Sequence, residues 1–438
     1  MRGTGPPLLL INPWVYDFAA YDFFAKPLGL LYLAGLLTAC GYEVHLIDCL
    51  RGPHARGGPF GTGRYPKETL PTPPSLQGIP RRYGRYGLSE AAFKAQLSRV
   101  PRPAAILVTS LMTYWYPGVA AAIGLARKHF PGVPVLLGGI YATLCPEHAR
   151  RHCYPDLVVT GPGEVAIFSH LAALGLKPPI TFIPTEFDSL PYPALHLLPH
   201  LSYIPILTSR GCPFDCSYCA AHLLQPRYQR RRPLGVVEEL FYWQDCLNLE
   251  EVAFYDDALL CQPESHLLVI LEELARRGRR FRFHTPNGLH THLITRDVAG
   301  WLKRANFATL RLGVETTAPG PERLDRKLQE GELETALAHL HAAGFQKKEI
   351  GVYLLTGLPH QEETAVVNSI RRVKEMGATP ILAQYSPIPG TALWLEAVKC
   401  SRYNLESDPL FHNNSLFPCW PRFSWTHYTQ LKHLAGEG

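Results

Sequence analysis

The chain has 438 residues, 46% of them hydrophobic and 18% charged, enough apolar content for two or three ordinary cores, which excludes disorder as its dominant state. Its 36 Gly and 40 Pro imply many turns but stay below the ~25–30% of a low-complexity chain. A net charge of +6 is too small over this length to mark an obligate nucleic-acid binder, so no nucleic-acid partner is expected.

The longest apolar stretch, residues 27–40, is 14 residues long, the length of a buried helix and short of the ~20 that span a bilayer. The apolar run near the start is broken by Asn12-Pro13 and makes no convincing signal peptide, so a cytoplasmic protein without a membrane span is expected. Eight of the 11 cysteines are scattered singly, unlike a secreted disulfide framework.

In chain order, short apolar runs alternate with helical patterns through the first 176 residues. Strands are predicted at 8–12, 43–48, 104–109, 133–138 and 156–160, and helices near 27–40, 89–99, 117–129, 145–151 and 163–174. Strands this apolar, each followed by a helix, specify an α/β domain: a five-stranded, doubly wound parallel sheet with ligand sites at the strands' C-terminal ends. The Gly-, Pro- and Arg-rich residues 51–88 interrupt this rhythm as a long functional or disordered loop. Residues 177–202 carry many prolines and no helical period, and read as an extended linker.

A second βα series follows over 203–400, with a short C-terminal extension at 401–438. Its strands are predicted at 204–209, 251–255, 281–285, 309–314, 349–355 and 380–385, and its helices near 234–247, 263–277, 295–304, 331–343 and 361–376. Six strands joined by crossovers suit a barrel or open barrel with its chemistry at the strands' C-terminal ends. Just past the first of them lies SRGCPFDCSYCAAH, which spaces Cys212, Cys216 and Cys219 as Cys-x3-Cys-x2-Cys. Three thiolates on one loop can hold three irons of a [4Fe–4S] cluster and leave the fourth open. With His222 they can also make a Cys3His zinc site, and Cys216 with Cys219 has thioredoxin-like spacing that leaves Cys212 unexplained.

The triplet, with Tyr218 as the aromatic before its last cysteine, resembles the signature of the radical S-adenosylmethionine (SAM) superfamily. The similarity continues in FYDDALL, TPNGL, RLGVETT, LTGLPHQEE and YSPIPGTAL, which fall at successive strand ends of that family's partial (β/α)6 barrel. The resemblance implies a [4Fe–4S] cluster on the three cysteines, SAM as cofactor, and a flavodoxin or reductase as electron donor. It places Asp256 and Asp257 at the SAM ammonium, and Asn287 and Glu315 at the ribose hydroxyls and methionine carboxylate. Backbone at Gly357 and Pro359 would meet the adenine, and Tyr218 and Ile388 would line the same site.

The first domain resembles cobalamin-binding domains. Thr109, Leu111, Met112 and Thr113 follow its third strand, Gly138, Gly139, Tyr141 and Thr143 its fourth, and Gly161, Gly163 and Glu164 its fifth. In such domains small residues at these places make room for the nucleotide tail of the cofactor. The family's Asp-x-His-x-x-Gly after the first strand is absent, since the segment reads NPWVYDFAAYDFF. Bound cobalt is therefore expected to lack a histidine lower ligand. The combined resemblance implies methyl transfer to an unactivated carbon or to phosphorus. The alternatives are a radical SAM cyclase or rearrangement enzyme and a non-catalytic cobalamin- or metal-binding protein.

Other features read more plainly. The basic runs 227–232 and 276–282 are expected as solvated faces. His284, His290 and His292 are expected at the surface. Trp14, Tyr16, Tyr114, Trp115 and Tyr116 fit either a corrin-facing wall or an ordinary aromatic core.

Overall fold

A computed structural model describes residues 5–182, 184–318, 328–420 and 422–436. The chain divides into two compact units, Met1–Ser202 and Tyr203–Gly438.

In the first unit the strands are β1 (Pro7–Asn12), β2 (Glu43–Asp48), β3 (Ala105–Val108), β4 (Val135–Leu137) and β5 (Leu157–Val158). They form one parallel sheet in the order β5-β4-β3-β1-β2. The intervening helices are α1 (Leu28–Ala39), α2 (Glu90–Leu97), α3 (Tyr116–His129), α4 (Pro146–Cys153) and α5 (Gly163–Ala173). Strand alternation sends Leu9 and Ile11 into one core with α2, α3 and α4, and Leu8 and Leu10 into a second with α1 and α5. Covering both faces is what makes these strands apolar throughout. Strand order reverses between β1 and β3, which places a binding crevice at the C-terminal ends of those two strands.

Two sequence expectations change here. Residues 51–88 are neither one loop nor disordered. Together with residues 15–22 they build two small three-stranded antiparallel sheets, whose two- and three-residue strands are too short to show a period. The proline-rich 177–202 is not a free linker either. It lies along α1, where Ile180 N–H donates to Cys40 O and Ala194 N–H to Leu31 O, each at 2.9 Å. Gly35 allows that approach, since a Cβ there would sit 2.3 Å from the Tyr192 carbonyl oxygen. Prolines suit such a segment, because only a few of its residues, Ile180 and Ala194 among them, need to donate to α1 carbonyls.

In the second unit, β6 (Ile204–Ile206), β7 (Glu251–Phe254), β8 (Arg282–His284), β9 (Phe307–Glu315), β10 (Ile350–Thr356) and β11 (Thr379–Gln384) pair in parallel in chain order. The crossover helices are α6 (Pro233–Leu247), α7 (Leu267–Arg276), α8 (Arg296–Arg304), α9 (Glu332–Ala342) and α10 (Glu363–Glu375). Sequential parallel order with a helix after each strand is the plan of an open βα barrel. The 401–438 segment ends in α11 (Trp425–Ala435), and its Leu405 and Cys419 share a buried cluster with Leu358, Tyr385 and Leu393. Arg231, expected on a solvated face, is buried and ion-paired to the fully buried Glu239 at 2.5 Å. The run 276–282 is exposed as expected over 276–280, with Arg276 and Arg277 both on Glu273. Among the described residues no helix is long and apolar enough to cross a membrane.

Candidate active site

Every segment singled out in the second unit leaves the C-terminal end of a parallel strand, so the topology gathers them at one edge of the sheet. The cysteine loop begins after a short antiparallel ribbon, Ser209–Arg210 on Gln229–Arg230. At the turn, Gly211 has φ +73° and a Cβ there would meet Arg227 O at 2.8 Å, so glycine is required. Cys216 is buried, Cys212 and Cys219 are half-buried, and none of the three is in a disulfide. Cys219 N–H donates to Cys216 O at 3.0 Å, and Leu393 N–H fixes the loop through Ser217 O at 2.8 Å. Tyr218 packs against the cluster formed with the C-terminal extension.

The donor set fits an iron–sulfur cluster. Three thiols leave one loop, and Ala221 N–H already points at the Cys219 sulfur at 3.4 Å, the kind of hydrogen bond that stabilises a thiolate ligand. His222, the fourth donor that the zinc alternative needs, is exposed, and among the described residues no three His, Cys, Asp or Glu side chains are gathered for a single ion.

The acidic pair after β7 divides its work. Asp256 is buried, and its carboxylate accepts from Thr208 N–H at 3.1 Å, Thr208 Oγ1 at 2.7 Å and Ser209 Oγ at 2.6 Å. Burial raises its carboxyl above the usual range while those donors pull it down. Asp256 thus ties the start of the cysteine loop to the end of β7, which corrects the expectation that both aspartates face a ligand. Asp257 is exposed, and desolvation by the surrounding protein first and the Asp256 charge second push its carboxyl up to about 6.

Asn287 is exposed, and its amide N–H donates to the carbonyls of Tyr255 at 2.9 Å and Asp256 at 3.2 Å, bracing the acidic loop. Glu315 closes β9 at a register shift against β10, with φ +66°, a left-handed conformation that costs ~1–3 kcal/mol for such a residue and turns its side chain out of the strand's alternation. Gly357, at φ +89°, donates its N–H to Gln361 Oε1 at 2.8 Å and has Phe417 3.0 Å from any added Cβ. Pro359 follows half-buried, and Ile388 O accepts from Thr391 Oγ1 at 2.8 Å.

At the C-terminal edge of the first unit, several expected ligand contacts are internal instead. Gly139, at φ +94°, is required by its neighbour, because a Cβ would sit 2.3 Å from Ser110 O. Tyr141 is fully buried with its hydroxyl 2.7 Å from His148 Nδ1. Thr143 Oγ1 donates to Gly139 O and accepts from Gly161 N–H. Thr113 is buried. Thr109, Leu111 and Glu164 are half-buried, Met112 is 45% exposed, and added Cβ atoms at Gly161 and Gly163 meet nothing within 4 Å. Gly138 has only ordinary contacts, the nearest at 3.6 Å. A side chain would therefore meet open space at Gly161 and Gly163 and ordinary contact at Gly138. Of the aromatics, Trp14 and Tyr114 are buried, while Tyr16, Trp115 and Tyr116 are half-buried, with Trp115 Nε1 donating to Asp17 and Tyr116 stacked on Tyr141.

Sequence reasoning missed the histidines. His284 is fully buried between Glu251 at 2.7 Å and Thr309 at 3.0 Å, and His290 is 3% exposed, so neither is a surface residue; His292 is half-buried. The polar spacing carried no burial signal; His290 comes near the cysteine loop because the short strand Leu289–His290 pairs with β9.

Residues 206–373 match the Radical SAM superfamily model. The chain is 25% identical over 394 residues to an uncharacterized methyltransferase of Pyrococcus horikoshii, covering 80% of each protein. It is also 25% identical over 333 residues to bacteriochlorophyllide d C-12(1)-methyltransferase of Chlorobaculum tepidum, covering 71% of this chain and 67% of that one. In fold it is similar to the radical S-adenosylmethionine methyltransferase TsrM of Kitasatospora setae, solved with cobalamin and a [4Fe–4S] cluster, with a TM-score of 0.66 at 15% identity over 94% of this chain and 82% of that one. With the cysteine loop and the strand-end segments as far as Glu363 inside the matched stretch, residues 206–373 are a radical SAM domain.

Proposed function

We propose that this protein is a cobalamin-dependent radical SAM methylating enzyme whose target is an unactivated carbon or phosphorus. The observation that carries the reading is the cysteine triplet on the loop after the first barrel strand, at the sheet edge that also collects Asp257, Asn287, Glu315, Gly357 and Ile388. Bound there, a [4Fe–4S] cluster and SAM supply reductive SAM cleavage, and cobalamin on the first unit supplies a carrier for the methyl group.

The side chains divide the remaining work. Cys212, Cys216 and Cys219 hold three irons and leave one for the amino and carboxylate groups of SAM. Asp257 accepts a hydrogen bond from the SAM amino group, while Asp256, saturated by Thr208 and Ser209, holds the two loops in register. Asn287 positions Asp257 through backbone carbonyls, and Glu315 meets the ribose. The turn at Gly357 and Pro359 offers backbone to the adenine, with Tyr218 and Ile388 as apolar walls. Met112, Gly138, Gly161 and Gly163 border the cobalamin tail, and Gly139 and Thr143 hold that edge in shape. We place the protein in the cytoplasm, fed by an external one-electron donor such as a flavodoxin and its reductase.

Anaerobic reconstitution with iron and sulfide, followed by dithionite and methyl-labelled SAM, tests the reading. Iron–sulfur absorption, 5′-deoxyadenosine and label on bound cobalamin are expected; a reconstituted protein without a cluster would sink it. Bound cob(II)alamin should show no histidine nitrogen splitting, because the segment after β1 contains no histidine; splitting from a distant histidine such as His45 or His148 would overturn this.

A further inference from the structure

The Cys212 sulfur lies 3.8 Å from Nε2 of His290. His290 ends the short strand Leu289–His290, which pairs with β9 at Gly313, so its backbone is fixed by the sheet. Its ring stacks on Phe214 with centroids 4.4 Å apart, and Phe214 stands between Cys212 and Cys216 on the same loop. The ring of His292 meets Phe214 edge-on at 5.4 Å and the His290 ring edge-on at 6.2 Å. The imidazole is therefore held beside the sulfur from two directions and shielded from water.

When Cys212 is a free thiol, either atom can donate. As an iron ligand it is a thiolate and can only accept, so the proton must sit on Nε2 and point at the sulfur. We infer that His290 donates this hydrogen bond to the cluster ligand Cys212 and thereby raises the reduction potential of the [4Fe–4S] cluster, acting as a positioning residue through the cysteine. One-electron reduction places additional negative charge on the cluster sulfurs, so an N–H aimed at one of them stabilises the reduced form more than the oxidised form. Exclusion of water strengthens the effect. Cys219 receives a backbone N–H from Ala221, which no side-chain substitution removes; the donor to Cys212 is a side chain and can be changed. The inference rests on the radical SAM reading.

The test uses the full-length, reconstituted protein. With 15N-histidine incorporated, pulsed EPR of the dithionite-reduced cluster should detect one coupled histidine nitrogen, retained in His292→Phe and lost in His290→Phe. In a potentiometric titration followed by EPR, His290→Phe keeps the ring stack but loses the donor, and should lower the reduction equilibrium constant about tenfold, or about 59 mV for a one-electron couple. His290→Gln, whose amide N–H reaches in the same direction, should recover most of the difference, and His292→Phe should match wild type. Equal potentials for wild type and His290→Phe overturn the inference, as does a wild-type cluster with no coupled histidine nitrogen. The labelling result decides even if His290→Phe fails to retain iron. A wild-type protein that takes up no cluster overturns the radical SAM reading and the inference together.

Discussion

At the C-terminal edge of the first unit, the loops spend their polar groups on one another. Ser110 Oγ donates to Gly138 O, and Thr143 links Gly139 to Gly161. At the corresponding edge of the second unit, the bonds fall on one member of a neighbouring pair and leave the other outward: Asp256 is saturated, whereas Asp257 is open. The difference separates two ways to prepare a binding edge. The first unit makes a shaped, self-supporting rim whose small residues leave space; the second braces a few charged side chains from behind so that they keep their position without a ligand.

The sharpest test of this contrast lies in the cysteines. Replacing any one of Cys212, Cys216 and Cys219 with Ala should remove the cluster and abolish SAM cleavage, because two protein thiolates neither retain nor tune it. Cys246→Ala, at an exposed position, and Cys261→Ala, half-buried, should keep wild-type iron content. Equal iron loss in both groups would contradict the assignment.

The rim is tested through its glycines. Gly139→Val drives a side chain into Ser110 and forces a left-handed residue, and should cost about 3 kcal/mol or more in chemical denaturation. Gly163→Ala starts a helix with nothing within 4 Å of its Cβ and should change stability by less than ~1 kcal/mol. If Gly139→Val folds normally and loses only cobalamin, Gly139 belongs to a ligand contact and not to the rim.

The acidic pair should split cleanly. Asp256→Asn turns an amide N–H toward donors from Thr208 and Ser209, and should cost about 2–3 kcal/mol together with part of the iron content. Asp257→Asn should leave folding intact and weaken SAM binding in calorimetry. The pH dependence carries a definite sign. The folded chain takes up the Asp257 proton near 6 and the unfolded chain near 3.8, so this group's contribution to stability grows as pH falls from about 6 toward 3.8 and is absent above that window. Solvent screening keeps the amplitude small. SAM binding needs the ionised carboxylate and should move the opposite way, weakening below about pH 6; Asp257→Asn should flatten both trends. The smallest effect belongs to Met112→Ala, exposed on the rim: stability within ~0.5 kcal/mol of wild type, with reduced cobalamin retention as the readout.

The sequence carried the main elements because strands such as 43–48 and helices such as 233–247 have strong periods and clear ends. Spacing alone located the cysteine loop, since cluster ligands must leave one short segment. What spacing cannot show is the cause behind a residue. Gly139 reads the same whether a cofactor or the Ser110 carbonyl demands it, and Asp256 and Asp257 are adjacent and identical in type. His284 and Arg231 look like surface residues because their partners, Glu251 and Glu239, identify themselves only once the chain has folded. The little sheets of 15–22 with 51–88 escaped because two-residue strands have no alternation to read.

The mooring of the cysteine loop has a consequence in time. Asp256 lies 48 residues beyond Thr208 in sequence, with the whole of α6 between them. During synthesis the three thiols therefore leave the ribosome well before the carboxylate that fixes the start of their loop. Until β7 has emerged and docked beside β6, the thiols are held on an unanchored segment, open to oxidation or to stray metal. On the proposed reading, cluster assembly would wait for β7 and, through the Leu393 N–H that fixes Ser217 O, for residues beyond the last barrel strand, and not merely for the appearance of the ligands.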